Sequence, residues 1–173
     1  MDYIAFLTDL MQYIPANERL GNFQDCVWSM AGKLQSLVDA IPSEISTARN
    51  RRFLDNCIRY ALKQMYHGKI SYAEFAEKMG ASRPHLNRRI RFLTGMTITA
   101  FLLSLRITMA KALLSGTTYP ANLIAEHCGM NTPSYFGVVF KKATGVTPEG
   151  YRKERLKSGR ISVSYTHLTL PTI

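Results

Sequence analysis

Residues 76–97 read AEKMGASRPHLNRRIRFLTGMT, and residues 125–147 read AEHCGMNTPSYFGVVFKKATGVT. Ala76, Gly80 and Pro84 recur 49 positions later as Ala125, Gly129 and Pro133. From there the offset becomes 50, because one residue is inserted between the glycine turn and the aromatic core: Leu86 pairs with Phe136, Ile90 with Phe140, Gly95 with Gly145 and Thr97 with Thr147. Matches confined to turn glycines, early prolines and inward apolar sites are those of two copies of one supersecondary unit.

The first copy carries its own start and stop signals. Ser71 and Glu74 in SYAE have the spacing of a capping box, in which hydroxyl and carboxylate each satisfy the other's backbone N–H. A helix of about eight residues is expected to end near Gly80, which suits positive φ. Ser82 then caps a second helix with Pro84 in its first turn. Leu86, Ile90 and Leu93 point inward on that helix, leaving His85, Asn87, Arg88 and Arg91 to point elsewhere. The unit is helix, tight turn, helix.

Between the copies lies TITAFLLSLRITMAKALLSG, with Phe101, Leu102, Leu105, Met109, Ala112 and Leu113 on a continuous stripe and Gly116 at its end. One rigid helix over 97–115 spans about 28 Å. That approaches the roughly 34 Å of one DNA turn, so it suits two units gripping successive groove segments.

Charge is divided unevenly along the 173 residues. Residues 1–49 hold three Lys or Arg against six Asp or Glu, and residues 50–173 hold nineteen against six, so the net charge is −3 before Asn50 and +13 from it onward. That excess calls for a polyanionic partner, nucleic acid or an anionic membrane surface. Cys26, Cys57 and Cys128 are far apart, with no C-x-x-C pair, and read as buried thiols in a reducing cytoplasm. The opening MDYIAFLTDLM carries Asp2 and Asp9 where a secretory signal has Lys or Arg. The longest apolar run, Met96 to Leu105, is closed by Arg106 and falls short of the roughly 20 residues of a membrane span. Residues 1–13 and about 22–40 place apolar residues three or four apart, as in Phe23, Val27, Met30 and Leu34, broken by Pro15 and Pro42. IPSEISTARN is a polar linker, followed by a helix from about Arg51 to Tyr66.

From about Arg51 to Leu156 the chain resembles the DNA-binding domain of the AraC/XylS family of bacterial transcription regulators. The resemblance rests chiefly on IAEHCGMNTPSYFGVVFKKATGVTPEGYR, residues 124–152, and in the first half on Ala76, Gly80, Ser82, Arg83, Leu86, Gly95, Phe101, Leu105, Arg106, Ala110, Leu113 and Leu114. It implies an all-α, homeodomain-like fold: two helix-turn-helix subdomains, 71–95 and 120–145, joined by the linker helix 97–115 within a domain spanning 50–157. Residues 1–49 form an N-terminal helical extension or the remnant of an upstream domain. The implied partner is double-stranded DNA at a promoter or operator, with RNA polymerase, a homodimer partner or an upstream sensor domain as further associates. No cofactor or metal is implied, and the location is cytoplasmic.

Base readers expected on the two second helices are Arg83, Asn87, Arg88, Ser134 and Val138, because Asn pairs with adenine and Arg with guanine through two hydrogen bonds, while Val meets a thymine methyl. Backbone contacts are expected from Ser82, Arg91, Thr132, Tyr135, Lys141 and Lys142. The family commonly has Ser-Arg where this chain has Gly137-Val138, which shifts sequence reading to the first unit, and an aromatic where it has Met130. His67, His127 and His167 lack ligand spacing. Residues 1–49 are too short for an alkyl-repair or kinase domain and have no phosphate-cradling glycine loop, so catalysis is not expected. Two other readings remain: the output fragment of a hybrid two-component sensor, or an interaction module using the N-terminal helices, whose apolar stripe needs cover from a partner.

The closing RISVSYTHLTLPTI has no charge after Arg160 and no helical stripe, so residues 158–173 are expected to be a tail of cloning or sequencing origin. Deleting residues 161–173 should leave the melting temperature and DNA affinity unchanged; a clear loss of either would mean the tail packs on the domain.

Overall fold

The computed structural model describes residues 2–169, with side-chain surroundings as far as Ser158. Among these, the helices are α1 (Tyr3–Leu10), α2 (Phe23–Asp39), α3 (Ala48–Tyr66), α4 (Tyr72–Lys78), α5 (Arg83–Thr94), α6 (Ile98–Gly116), α7 (Ala121–His127), α8 (Pro133–Thr144) and α9 (Pro148–Thr169). The fold is all-α among the described residues, apart from an isolated bridge between Arg19 and Thr117. Helices α4 and α5 form the first helix-turn-helix unit and α7 and α8 the second, with α6 between them.

Each unit is built from the same caps. Ser82 Oγ accepts from His85 N–H at 3.3 Å and Thr132 Oγ1 from Tyr135 N–H at 3.1 Å. Gly80 and Gly129 both turn at φ 72°, and Gly95 and Gly145 end α5 and α8 in the left-handed region at 76° and 87°. In TGMT and TGVT the first threonine clasps the turn: Met96 N–H donates to Thr94 Oγ1 at 3.1 Å and Val146 N–H to Thr144 Oγ1 at 3.3 Å. The last threonine caps the next helix, Thr97 for α6 and Thr147 for α9. The expected capping box is half made: Ser71 Oγ accepts from Glu74 N–H at 3.3 Å, while Glu74 is exposed, with no return bond among the described residues.

The extra residue of the second copy sits earlier than the sequence pairing placed it. Ala81 N–H bonds Ala76 O, and Met130 N–H bonds Ala125 O, so the glycine turns match at an offset of 49. The N-caps Ser82 and Thr132 already stand 50 apart, so Asn131 is the insertion. Pro84 and Pro133 are therefore not equivalent; Pro133 aligns with Arg83, Ser134 with Pro84, Gly137 with Asn87 and Val138 with Arg88.

That register explains Gly137. Asn87 Oδ1 accepts from the backbone N–H of Ile98 at 2.9 Å, one of the orphan donors of α6, and so bolts α5 to the start of the linker helix. In the second copy the position of Ile98 is taken by Pro148, which has no N–H to satisfy. Gly137, in the place of Asn87, has no bond to make.

Helix α6 is the spine. At 19 residues it is long and apolar enough to cross a membrane by length and composition alone, a correction to the expectation from the Met96–Leu105 run. Its apolar side chains are spent on packing: Phe101, Leu102, Leu105, Met109, Leu113 and Leu114 are all fully buried, joined by Ile107 and Ala110. A helix apolar on most sides is a core helix in a protein of this size. Helices α2, α3, α5, α7 and α9 all lie against it.

The N-terminal helices are part of the same core. Val27, Met30, Leu34 and Val38 of α2 are buried, α1 adds Leu7 and Tyr3, and Phe23 is half-buried beneath Arg19. The stripe expected to need cover from a partner is thus covered by α6 of its own chain, and that expectation is corrected. The segment before α2 also grips the end of α6: Leu20 N–H donates to Gly116 O at 2.9 Å, Asn22 Nδ2 to Ser115 O at 3.0 Å and Thr118 N–H to Glu18 O at 2.8 Å. Gly116 is the last residue of α6 and has no positive φ. Its role is close approach, since a Cβ there would stand 3.1 Å from Cys26 Cβ and 3.4 Å from Phe23 Cα.

Two other boundaries move. Helix α3 begins at Ala48, inside the expected polar linker, capped by Thr47 Oγ1 accepting from Asn50 N–H at 3.1 Å. The backbone of α9 runs to Thr169, so the expected tail 158–173 starts within a helix, and residues 170–173 lie outside the described residues. Cys57 and Cys128 are buried, and burial pushes the Cys57 thiol up to about 12; Cys26 is only half-buried.

The two glycines should respond oppositely to alanine. Gly116→Ala forces α2 away from α6 and should cost about 1–3 kcal/mol in urea unfolding. Gly137 has open space where a Cβ would stand and lies inside α8. Gly137→Ala should therefore add about 0.5–1 kcal/mol. Equal effects of the two substitutions would contradict this placement.

Candidate nucleic-acid interface

Because Leu86, Ile90 and Leu93 face the core, helical periodicity leaves the opposite side of α5 to solvent. Arg88, Arg91 and Phe92 occupy positions i, i+3 and i+4 of that side, below Arg83 and His85 in the first turn, and all are exposed. On α8, Phe136 and Phe140 are buried, and Val138, Lys141 and Lys142 form the matching exposed triplet, below Ser134 and Tyr135. Val138 is 68% exposed and Tyr135 58%, too open for core residues. Neither α5 nor α8 contains an acidic residue.

Exposed cations on a helix whose N-terminal N–H groups carry partial positive charge make a favourable surface for phosphates. The N-cap hydroxyls of Ser82 and Thr132 are exposed and accept from the helix, which leaves each O–H free to donate to a phosphate oxygen. Arg83, Arg88 and Arg91 are likewise open to solvent, with Arg83 5.9 Å from the ring centre of Tyr72.

Asn87 is not on this surface. It is half-buried and its carbonyl oxygen is occupied by Ile98 N–H. Bidentate pairing with adenine needs both atoms of the amide, so the expectation that Asn87 reads a base is corrected. Arg89 also leaves the basic run: its guanidinium lies over the Phe53 ring at 3.7 Å, joining α5 to α3. Ser134 is exposed, but in the register of Pro84 rather than that of Asn87.

Three side-chain roles were not read from the sequence. Phe92, 62% exposed, is a large aromatic beside Arg88 and Arg91; its signal was its position off the Leu86, Ile90 and Leu93 stripe. Arg152 donates from Nε to Leu114 O at 3.1 Å and from its other nitrogen to Tyr119 O, so a side chain of α9 satisfies carbonyls at the end of α6. His127 holds Tyr66 O through Nδ1 at 2.8 Å and stacks on the Tyr66 ring at 4.2 Å, tying α7 to α3. No local pattern announces the last two, since their partners lie 33 to 61 positions away.

Comparison with known proteins places this geometry. A family model described as a helix-turn-helix domain matches residues 75–154. The HTH-type transcriptional activator RhaR of Yersinia pseudotuberculosis is 34% identical over 101 residues, 58% of this chain. The chain covers 35% of that relative's length. The solved DNA-binding domain of AdpA, a global transcriptional factor in complex with a target DNA, is 27% identical with a TM-score of 0.54, over 58% of this chain and 89% of that one. The C-terminal domain of AraT, a response regulator from Geobacillus stearothermophilus, superposes with a TM-score of 0.55 over 60% of this chain. At 32% identity across 85% of that solved domain, the chain belongs to the AraC/XylS family.

Proposed function

We propose that this chain is a sequence-specific DNA-binding transcription regulator that lays α5 and α8 in two successive major-groove segments on one face of a duplex. The observation that carries the reading is the pair of exposed faces, Arg88, Arg91 and Phe92 on α5 and Val138, Lys141 and Lys142 on α8. They stand in one 50-residue register, without acidic residues, on either side of a rigid 19-residue helix. AdpA, which shares the fold, binds a target DNA, and RhaR is by name an activator, which supports activation in the cytoplasm as the role.

The two faces divide the work. Arg88 has a guanidinium suited to guanine O6 and N7, whereas Val138, its counterpart, can offer only contact with a thymine methyl. Helix α5 reads and α8 holds the register, with Lys141 and Lys142 on the phosphates. A single copy presents both helices, so one chain serves an asymmetric site of about 20 base pairs without palindromy.

Selection of a binding site from random DNA, followed by gel shifts on the selected site, tests this. Arg88→Ala should cost about 1–3 kcal/mol on the selected site and relax preference at one base pair. Replacing Lys141 and Lys142 together by Ala should weaken all sequences alike and reduce the salt-dependence slope by up to roughly two. A lysine pair that alters base preference, with Arg88→Ala weakening all sequences uniformly, would reverse the assignment.

Asn87 gives a separate check. Asn87→Ala should lower folding stability by about 1–2 kcal/mol, because it strands the half-buried Ile98 N–H, while the selected base preference stays the same. A changed preference at one base pair with unchanged stability would return Asn87 to the reading surface.

A further inference from the structure

Away from both recognition helices, α2, α6 and α9 border an open surface cleft of about 520 Å³. Its floor is the α6 stripe of half-buried Thr108, Lys111 and Ala112, ending at buried Ser115. Three cations from three different helices converge there: Lys33 from α2, Lys111 from α6 and Arg155 from α9. Among the described residues none of them is ion-paired, and the one carboxylate in the lining, Asp25, stands beyond ion-pair distance of all three. Partial burial, together with the Lys111 and Arg155 charges, holds the Lys33 ammonium below its ordinary range, so the cluster repels itself in the empty cleft.

Like charges gathered from three elements destabilise a fold unless an anion offsets them. Three positive charges less the one of Asp25 leave +2 in the cleft. A phosphomonoester carries up to two negative charges near neutral pH, with its second pKa about 6, and three strong acceptor oxygens. The exposed hydroxyl of Ser29 adds a neutral donor, while the Thr108 hydroxyl is spent on Ser104 O at 2.8 Å. The volume is far larger than a phosphate group requires and falls in the range of about 300–1,000 Å³ typical of small-molecule sites. Tyr151 and Met30 supply apolar wall for the remainder of a ligand.

We propose that this cleft binds the phosphomonoester of a small organic molecule, with Lys33, Lys111 and Arg155 holding the phosphate dianion. The site is independent of the DNA-reading surface, because none of its lining residues belongs to α5 or α8. It touches α2, the spine and the helix that follows the second unit. A ligand there stabilises the folded chain by mass action.

Titration calorimetry and thermal melting of the full chain test it, with glucose 6-phosphate, inorganic phosphate and glucose as probes. Glucose 6-phosphate should bind saturably at one site and raise the melting temperature, inorganic phosphate should compete with it, and glucose should do neither. Lys33→Gln combined with Arg155→Gln changes two exposed side chains and relieves repulsion, so it should fold normally and bind glucose 6-phosphate at least tenfold more weakly. Lys111→Gln should do the same alone, and Lys141→Gln with Lys142→Gln should leave the affinity unchanged. Absence of saturable binding, or a cleft variant that binds like the wild type, overturns the proposal. Binding of inorganic phosphate alone overturns the phosphomonoester assignment. A cleft variant that loses DNA affinity as far as the Lys141 and Lys142 variant would assign the cluster to the duplex backbone, which also overturns it.

Discussion

Burial of α6 on nearly every side is the constraint on which the rest of the molecule depends. Phe101, Leu102, Leu105, Met109 and Leu113 lie at full burial along one stripe, and Ile107, Ala110 and Leu114 carry burial well beyond it. Each neighbouring element can bury its own apolar face only by docking on this helix. Both helix-turn-helix units, α3 and the N-terminal helices are therefore held in one frame, and the orientation of α5 relative to α8 follows from it. A strut exposed to solvent along much of its length would have left the two units free to rotate about their connections.

The ends of α6 are secured by side chains from elsewhere. At its start, Asn87 accepts from Ile98 N–H, and Thr97 accepts from Ala100 N–H at 3.1 Å. At its end, Arg152 collects the carbonyls of Leu114 and Tyr119, while Leu20 and Asn22 approach from the N-terminal segment across the bare Gly116. The second unit lacks a counterpart of the Asn87 bond. Pro148 removes the donor that Asn87 satisfies in the first, and Gly137 removes the acceptor, so both partners of one hydrogen bond are absent together and no buried group is stranded. The departure at Gly137-Val138 thus has two separate parts: the glycine belongs to the joint with α9, and the valine belongs to the exposed face.

Much of the fold was legible because its signals are local. Caps at Ser71 and Ser82, glycine turns, and the three-to-four spacing of Leu86, Ile90 and Leu93 depend on residues within one helical turn of each other. The exposed triplet of α5 followed in part, since Arg88 and Arg91 lie off the apolar stripe. Phe92 was passed over, because an aromatic residue on a basic face looks like core until the core is seen to be full. The N-terminal stripe was recognised as apolar, but its partner could not be named from periodicity, which says that a face is buried and not against what.

The sequence by itself determined that this chain is helical, that it repeats a helix-turn-helix unit, and that its basic excess follows Asn50. Those properties depend on backbone capping, side-chain period and charge count, all additive along the chain. Tertiary structure alone decided which polar side chains are free to act. Asn87 and Arg89 sit within the same RPHLNRRIR run as Arg88 and Arg91, yet Asn87 is drawn to Ile98 and Arg89 to Phe53, while the other two are left in solvent. The physical reason is that a polar group's availability depends on whether a distant element arrives to satisfy it, and that arrival is set by how the spine packs.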